Sequence, residues 1–302
     1  MNLIIDGSSL LHRVHWINSK RPFINSKGKN VGDIFMFLRS VKSYANMFDT
    51  KSIYVCWDKK IIYPSTNFRA ELSKKEYKAN RDKEKAKDVF TNEEDLTRML
   101  TYLGIKNMYP RIMEADDVIA WLCEILDGPN IVVSADNDLL QLVSEKTSFY
   151  HSLKKKLIDL ENFESTVGVK TAAYLYYKAI KGDVSDNIPG WVGFGEVKAK
   201  KIAERLANDC LYINECTDEQ KYVLEHNIKL MNLEQGYNMA GEEEVKSYQE
   251  QFKQLVDLEP DLESFKHNCK TFEFNQFLKN FTDWENIFKQ SRLFSILNNM
   301  FK

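Results

Sequence analysis

Asn2-Leu3-Ile4-Ile5-Asp6, the run that opens the chain, decides how the rest is read. Three apolar residues closing on a carboxylate are too few for a helix face and match a short strand of a parallel sheet. The figure returns twice: Ile53-Tyr54-Val55-Cys56-Trp57 closes on Asp58, and Ile131-Val132-Val133-Ser134-Ala135 closes on Asp136. Between these runs apolar residues recur at helical spacing, at about 31–48 (Val31, Ile34, Phe35, Leu38, Val41, Tyr44, Ala45), 92–103 and 115–126. Alternating strands and helices predict an α/β fold with a mainly parallel central sheet flanked by helices. Residues 148–152 and 156–160 flank Leu153-Lys154-Lys155 and read as a hairpin at the sheet edge.

Composition agrees with a folded chain. Of 302 residues 43% are apolar and 28% charged, with only 12 Gly and 6 Pro, which excludes fibrous and disordered classes and allows one large domain or two modest ones. The 42 Lys plus Arg nearly balance 44 Asp plus Glu, so the total charge does not announce a nucleic-acid binder. The longest apolar runs fall well below the roughly 18 residues of a membrane span, and the chain begins on a strand rather than a secretory signal. An intracellular, cytoplasmic protein without a membrane partner is expected. The five cysteines, Cys56, Cys123, Cys210, Cys216 and Cys269, form no Cys-x-x-Cys pair and no metal-ligand spacing with the five histidines, so they read as reduced thiols.

After about residue 165 strand-like runs stop and helical spacing continues at 170–181, 196–208 and 217–233. This divides the chain into an α/β region, 1–165, and a helical region, 166–302, whose last sixty residues read as helices packing back on the body. Residues 60–90 interrupt the α/β pattern. From Arg69 to Lys87 eight basic residues face four acidic ones, with few apolar positions, and the segment is expected outside the core.

The carboxylates carry the chemistry. In an open parallel sheet, ligands bind beyond the carboxyl ends of the strands, so Asp6, Asp58 and Asp136 are expected on one rim. Glu114, Asp116 and Asp117 stand at the start of an apolar-periodic helix, Asp138 follows Asp136, and Asp183 and Asp186 lie in Gly182-Asp183-Val184-Ser185-Asp186-Asn187. Each has an ordinary alternative. An aspartate after a strand caps a helix, acidic residues complement a helix N-terminus, and Gly-Asp-x-x-Asp-Asn makes a turn. Together, nine carboxylates on one rim repel unless cations offset them. Hard oxygen donors without His or Cys point to magnesium or manganese, and a two-ion centre suits phosphodiester hydrolysis.

With Ile4-Ile5-Asp6-Gly7, Cys56-Trp57-Asp58, Tyr77-Lys78-Ala79-Asn80-Arg81, Glu114-Ala115-Asp116-Asp117, Ser134-Ala135-Asp136-Asn137-Asp138 and Gly182-Asp183-Val184-Ser185-Asp186-Asn187-Ile188-Pro189-Gly190 in order over about 200 residues, the sequence resembles the 5′-nuclease family. These are the structure-specific flap endonucleases and 5′-to-3′ exonucleases of phages and of the N-terminus of repair-type bacterial DNA polymerases, and the resemblance is greatest to the free-standing phage enzymes. It implies a core with a helical arch at about 60–90 and two Mg2+ ions, with Mn2+ able to substitute. Asp58, Glu114, Asp116, Asp117 and Asp136, with Asp6 close by, match first-metal carboxylates; Asp138, Asp183 and Asp186 match the second cluster. Arg13 matches a basic side chain facing the scissile phosphate, its ordinary alternative being an exposed helix arginine. Lys78 and Arg81 match catalytic basic residues at the base of the arch, with Lys74, Lys75 and Tyr77 beside them on the DNA path.

The turn Ile188-Pro189-Gly190-Trp191-Val192-Gly193-Phe194-Gly195 resembles the family's helix-hairpin-helix at about 180–208, with Trp191 where a small or β-branched residue is familiar. Gly190, Gly193 and Gly195 let backbone amides approach a duplex phosphate, the following helix adds its positive end, and Lys198, Lys200 and Lys201 supply counter-charge. The resemblance also implies K+ at this motif, DNA with 5′ flaps or single-strand/duplex junctions as substrate, and RNA–DNA hybrids in primer removal. The amphipathic end, 290–301, reads either as a helix on the core or as a docking segment for a sliding clamp, with a single-strand-binding protein as a further partner, and the protein is expected to be a monomer. Three rival functions make different predictions. A non-catalytic junction binder predicts missing carboxylates, a PIN-type ribonuclease lacks the basic segment and glycine hairpin, and a haloacid-type phosphatase needs Asp-x-Asp where Asp6-Gly7-Ser8 stands.

Overall fold

The computed structural model describes residues 1–50, 52–58, 68–73, 77–78 and 88–289. Its centre is a six-stranded sheet of β1 (Asn2–Asp6), β2 (Ser52–Cys56), β3 (Lys106–Met108), β4 (Asn130–Ser134), β5 (Thr147–His151) and β6 (Lys156–Ile158) in the order β3-β2-β1-β4-β5-β6. The first five strands are parallel, with Ile4 paired to Tyr54 on one side and to Val132 on the other. β6 closes the edge antiparallel to β5, as the 148–160 hairpin predicts.

Side-chain alternation then divides the core. Leu3, Ile5, Ile53, Val55, Ile131 and Val133 point to one face, and Ile4, Tyr54, Cys56 and Val132 to the other. The first face is covered by α1 (Gly7–Lys20), α2 (Gly32–Phe48) and α4 (Glu93–Tyr102), the short α3 (Phe68–Leu72) preceding α4 in the chain. α12 (Leu262–Thr271), α13 (Asn275–Lys279) and the helical residues 281–289 pack on this same face, bringing Phe265, Phe274 and Trp284 against the residues of β1 and α2. The second face carries α5 (Ala115–Ile125), α6 (Leu160–Val167), α7 (Thr171–Lys181), α8 (Glu196–Asn208), α9 (Asp218–Met231), α10 (Leu233–Met239) and α11 (Glu242–Leu255). The C-terminal half thus covers both faces of a sheet built by the N-terminal half.

α1, α3, α6 and β3 escape the reading of apolar runs and helical spacing. α1 begins directly on Asp6, with Ser8, His12 and Arg13 diluting its apolar stripe. β3 is three residues, Lys-Asn-Met, in which Lys106 is buried with its ammonium 5.3 Å from the Tyr54 ring centre. The expected 217–233 helix is interrupted at Asn232, whose side chain caps α10 by accepting from the Gln235 amide. Arg69 corrects the expectation that 69–87 lies outside the core, because it is 3% exposed.

Candidate active site

β1 lies between β2 and β4: the connections to β2 and β3 run to one side of it and the one from β3 to β4 returns to the other, so a crevice opens beyond its carboxyl end. Asp6 ends β1 at that crevice and caps α1 through the Ser9 amide, 2.9 Å from Oδ1; Ser134 Oγ donates to its Oδ2 at 2.6 Å. Gly7 is required beside it, since a Cβ there would stand 2.6 Å from Val55 Cγ1. Asp58 follows β2, its amide donating to Ser8 Oγ and its Oδ1 accepting from the Ala115 amide at 2.9 Å, which ties the strand end to the start of α5. Asp136 follows β4, caps the 3-10 turn Asn137–Leu142 and donates its own amide to Ser134 Oγ. Ser134 therefore links Asp6 to the Asp136 backbone. Asp116, in the first turn of α5, has no hydrogen-bond or ion-pair partner among the described residues.

These four carboxylates act on one another, and none of them forms an ion pair among the described residues. Burial, then the charges of Asp58 and Asp136, push the Asp6 carboxyl up to about 7. Burial, then Asp136, Asp6 and Asp58, push Asp116 well above the usual carboxylate range. The other five have internal partners. Glu114 accepts from Lys78 Nζ at 2.6 Å and Tyr77 Oη at 2.8 Å; burial opposes its ionisation, but Lys78 and Arg69 hold it down at about 2. Asp117 is fully buried and grips Arg69 through both oxygens, 2.5 Å to Nη1 and 2.7 Å to Nη2, while Arg69 Nε donates to the Leu230 carbonyl. Lys178 Nζ stands 2.7 Å from Asp138 Oδ1 and 2.8 Å from Asp183 Oδ2. Asp186 is buried against the Tyr77 hydroxyl at 3.2 Å, with Lys78 Nζ at 3.8 Å.

Among the described residues no three Asp, Glu, His or Cys side chains form a ready-made ligand shell. The donor chemistry nonetheless fits a hard divalent cation, because the four rim carboxylates supply only oxygen, and burial together with the neighbouring carboxylates raises the proton affinity of Asp6 and Asp116. Relief of that repulsion is what an ion would bring.

Several sequence-derived assignments change. Asp117 was matched to a metal, yet both its oxygens hold Arg69 and one also accepts the Glu114 amide, so it anchors α3 to α5 from inside. Tyr77 was placed on the DNA path, but it is buried and its hydroxyl is shared by Glu114 and Asp186. Gly190 was read as open to phosphate; instead a Cβ there would stand 2.2 Å from the Lys181 carbonyl oxygen, and Gly190 packs back on Gly182 to close the Asp183–Asp186 loop. Arg13 donates to the Ser152 carbonyl at 3.3 Å and to Tyr44 Oη at 3.2 Å, joining α1 to α2 and the edge hairpin. Lys74, Lys75 and Arg81 lie outside the described residues, as does the 290–302 segment. Three contributors went unread: Ser134, Arg69 and Lys178. Only Ser134 carried a signal, its place two residues before Asp136 at a strand end.

α7 and α8 form the expected hairpin of helices. Gly193 and Gly195 are open to solvent, Gly193 with φ +79°, and Val192 and Val197 are almost fully exposed beside them. Lys198 and Lys201 are exposed, whereas Lys200 pairs with Glu196 at 2.8 Å. Trp191 has a structural explanation: it is buried edge-on against Phe194, and its Nε1 donates to the Gln220 carbonyl at 2.9 Å, fastening the hairpin to the start of α9.

Known proteins share both sequence and architecture with this chain. Residues 1–168 match the family model described as 5′-3′ exonuclease, N-terminal resolvase-like domain. The 5′-3′ exonuclease of Bacillus subtilis is 32% identical over 209 residues, 66% of this chain and 68% of that protein. The 5′-3′ exonuclease of Mycoplasmopsis pulmonis is 30% identical over 204 residues, and the match spans 65% of that protein's length. The fold is that of the T5 D15 protein co-crystallised with metal ions, with a TM-score of 0.67 at 24% identity over 85% of this chain and 99% of that one. Flap endonuclease-1 from Methanococcus jannaschii follows the same fold, with a TM-score of 0.52 at 15% identity over 96% and 93% of the two chains. The matched segment holds all three strand-end aspartates and the start of α5, and on that ground of sequence and architecture the chain belongs to the 5′-3′ exonuclease family.

Proposed function

We propose that this member of the family hydrolyses phosphodiester bonds near the 5′ end of DNA at single-strand/duplex junctions, as an exonuclease and a flap endonuclease, using two Mg2+ ions. The observation that supports this most directly is the set of four carboxylates, from three strand ends and one helix start, that act on one another at one rim of the sheet. Asp6, Asp58, Asp116 and Asp136 would hold one ion, and Asp138, Asp183 and Asp186 a second. Such ions, when bound, supply a water acidic enough to attack at neutral pH and offset the charge of the leaving oxygen.

The chain's own groups do the rest. Ser134 fixes the orientation of Asp6. Lys78, held in the left-handed region at φ +56°, presents its ammonium beside Glu114, where it stabilises negative charge developing on the scissile phosphate. Arg13 and Arg81 add positive charge along the strand, and Lys74 and Lys75 guide the single-stranded 5′ end by phosphate contact. Gly193, Gly195, Lys198 and Lys201 grip the duplex backbone independently of sequence. Mn2+ replaces Mg2+, K+ sits at the hairpin, and RNA primers paired to DNA are substrates in replication. The protein works as a cytoplasmic monomer, with the 290–302 segment docking a sliding clamp.

Cleavage of a labelled 5′-flap duplex tests the reading. Product is expected with Mg2+ and none with EDTA, and Lys78→Ala is expected to slow cleavage much more than it weakens duplex binding. Equal cleavage with and without EDTA would refute the metal chemistry.

A further inference from the structure

Lys178 was not foreseen as part of the site, and its position bears on how ions load. It projects from the last turn of α7 with its side chain 11% exposed. Its ammonium lies 2.7 Å from Asp138 Oδ1, beyond β4, and 2.8 Å from Asp183 Oδ2, in the Gly182–Gly190 loop. The second Asp183 oxygen is already filled by the Ser185 amide at 2.8 Å and the Ser185 hydroxyl at 2.6 Å. The one oxygen Asp183 has left to offer is therefore the one Lys178 holds. No equivalent ammonium lies on the described contacts of Asp6, Asp58, Asp116 and Asp136.

We propose that Lys178 is a resident cation which occupies the Asp138–Asp183 pair in the metal-free protein and has to be displaced before a second divalent ion binds there. The inference rests on the reading that Asp138, Asp183 and Asp186 form the second ion position. Mg2+ needs carboxylate oxygens at roughly 2.0–2.1 Å in near-octahedral geometry, and an ammonium between the same two oxygens both blocks that approach and repels the ion. Among the described residues the rim position has no such competitor. The two positions consequently differ in affinity and fill in order, the rim first.

Divalent-ion binding to the full chain without DNA tests this, by calorimetric titration with Mg2+ and by paramagnetic counting of bound Mn2+. Wild type is expected to take one ion tightly and the second at least about tenfold more weakly, a difference of about 1.4 kcal/mol. Lys178→Met, which removes the charge and keeps the stem, is expected to tighten the second ion by about tenfold and leave the first unchanged; Lys178→Arg is expected to keep the second ion weak. An unchanged or weaker second ion in folded Lys178→Met overturns the proposal. Should that variant not fold, the wild-type protein gives the answer through the 1H–15N signal of the Lys178 ammonium, identified by its absence in Lys178→Arg. That signal is expected to persist with one equivalent of Mg2+ and to shift or disappear with the second. Persistence with both ions bound overturns the inference while leaving the two-ion reading intact, whereas binding of no ion at all overturns both.

Discussion

The rim and the helical flank of the crevice carry the same functional group with different partners. On the rim, Asp6 and Asp116 meet other carboxylates, and their proton affinities rise. On the flank, Glu114 meets Lys78 and Arg69, Asp117 meets Arg69, and Asp138 and Asp183 share Lys178, although burial and the charge of Asp136 still push Asp138 up to about 6. The difference teaches that acidic residues at one site need not share one job. The flank carboxylates are paired with cations of the chain itself, Arg69 tying α3 to α5 and Lys178 tying α7 to Asp138 and Asp183, while the rim carboxylates have no such ion pair among the described residues.

If this division is right, Asp116→Asn affects chemistry and spares the fold. Flap cleavage is expected to fall by about 10²-fold or more, with the melting temperature of the metal-free protein unchanged or raised, because a repelling charge has gone. A marked fall in melting temperature would place Asp116 with the flank.

Arg69→Met is the reciprocal experiment. It strands Asp117 in a fully buried position, and breaking a buried pair from one side costs about 3–5 kcal/mol. A chemical-denaturation midpoint that moves well down is expected, and a change within error would show that Asp117 does not depend on its partner.

An effect of similar size follows from pH. Asp6 has its carboxyl raised from 3.8 to about 7 in the metal-free fold, so the folded state holds a proton that the unfolded chain releases earlier. The stability this gives is complete below about pH 4 and is lost as pH rises through about 7. Thermal melts of the metal-free protein are expected to show that decline, and Asp6→Asn to flatten it; an equal slope in the variant would mean that Asp6 is not the titrating group. The smallest change is expected at the hairpin, where Lys201→Ala should weaken duplex binding a few-fold and reduce the salt dependence by about one unit of slope. An unaltered salt slope would remove Lys201 from the interface.

Much of the architecture was legible because it repeats locally. Apolar runs closing on Asp6, Asp58 and Asp136 place three strands, and helical spacing places α2, α4, α5 and α7 to α9, including the α7–α8 hairpin. β3 was not legible, since Lys106 and Asn107 imitate a loop and only pairing with β2 makes them a strand. Arg69 reads as one more charge in a basic run and is instead the partner of Asp117, 48 residues away. Gly190 resembles the neighbouring Gly193 in sequence, yet one is packed on Lys181 and the other is open.

The sequence by itself determined which strands end in carboxylates, and therefore which residues can reach the crevice, because strand length and side-chain period are set by neighbours in the chain. Only the tertiary structure decided which of those carboxylates are neutralised. Arg69, Lys78 and Lys178 come from three separate segments, and Coulomb energy depends on distances that folding alone establishes.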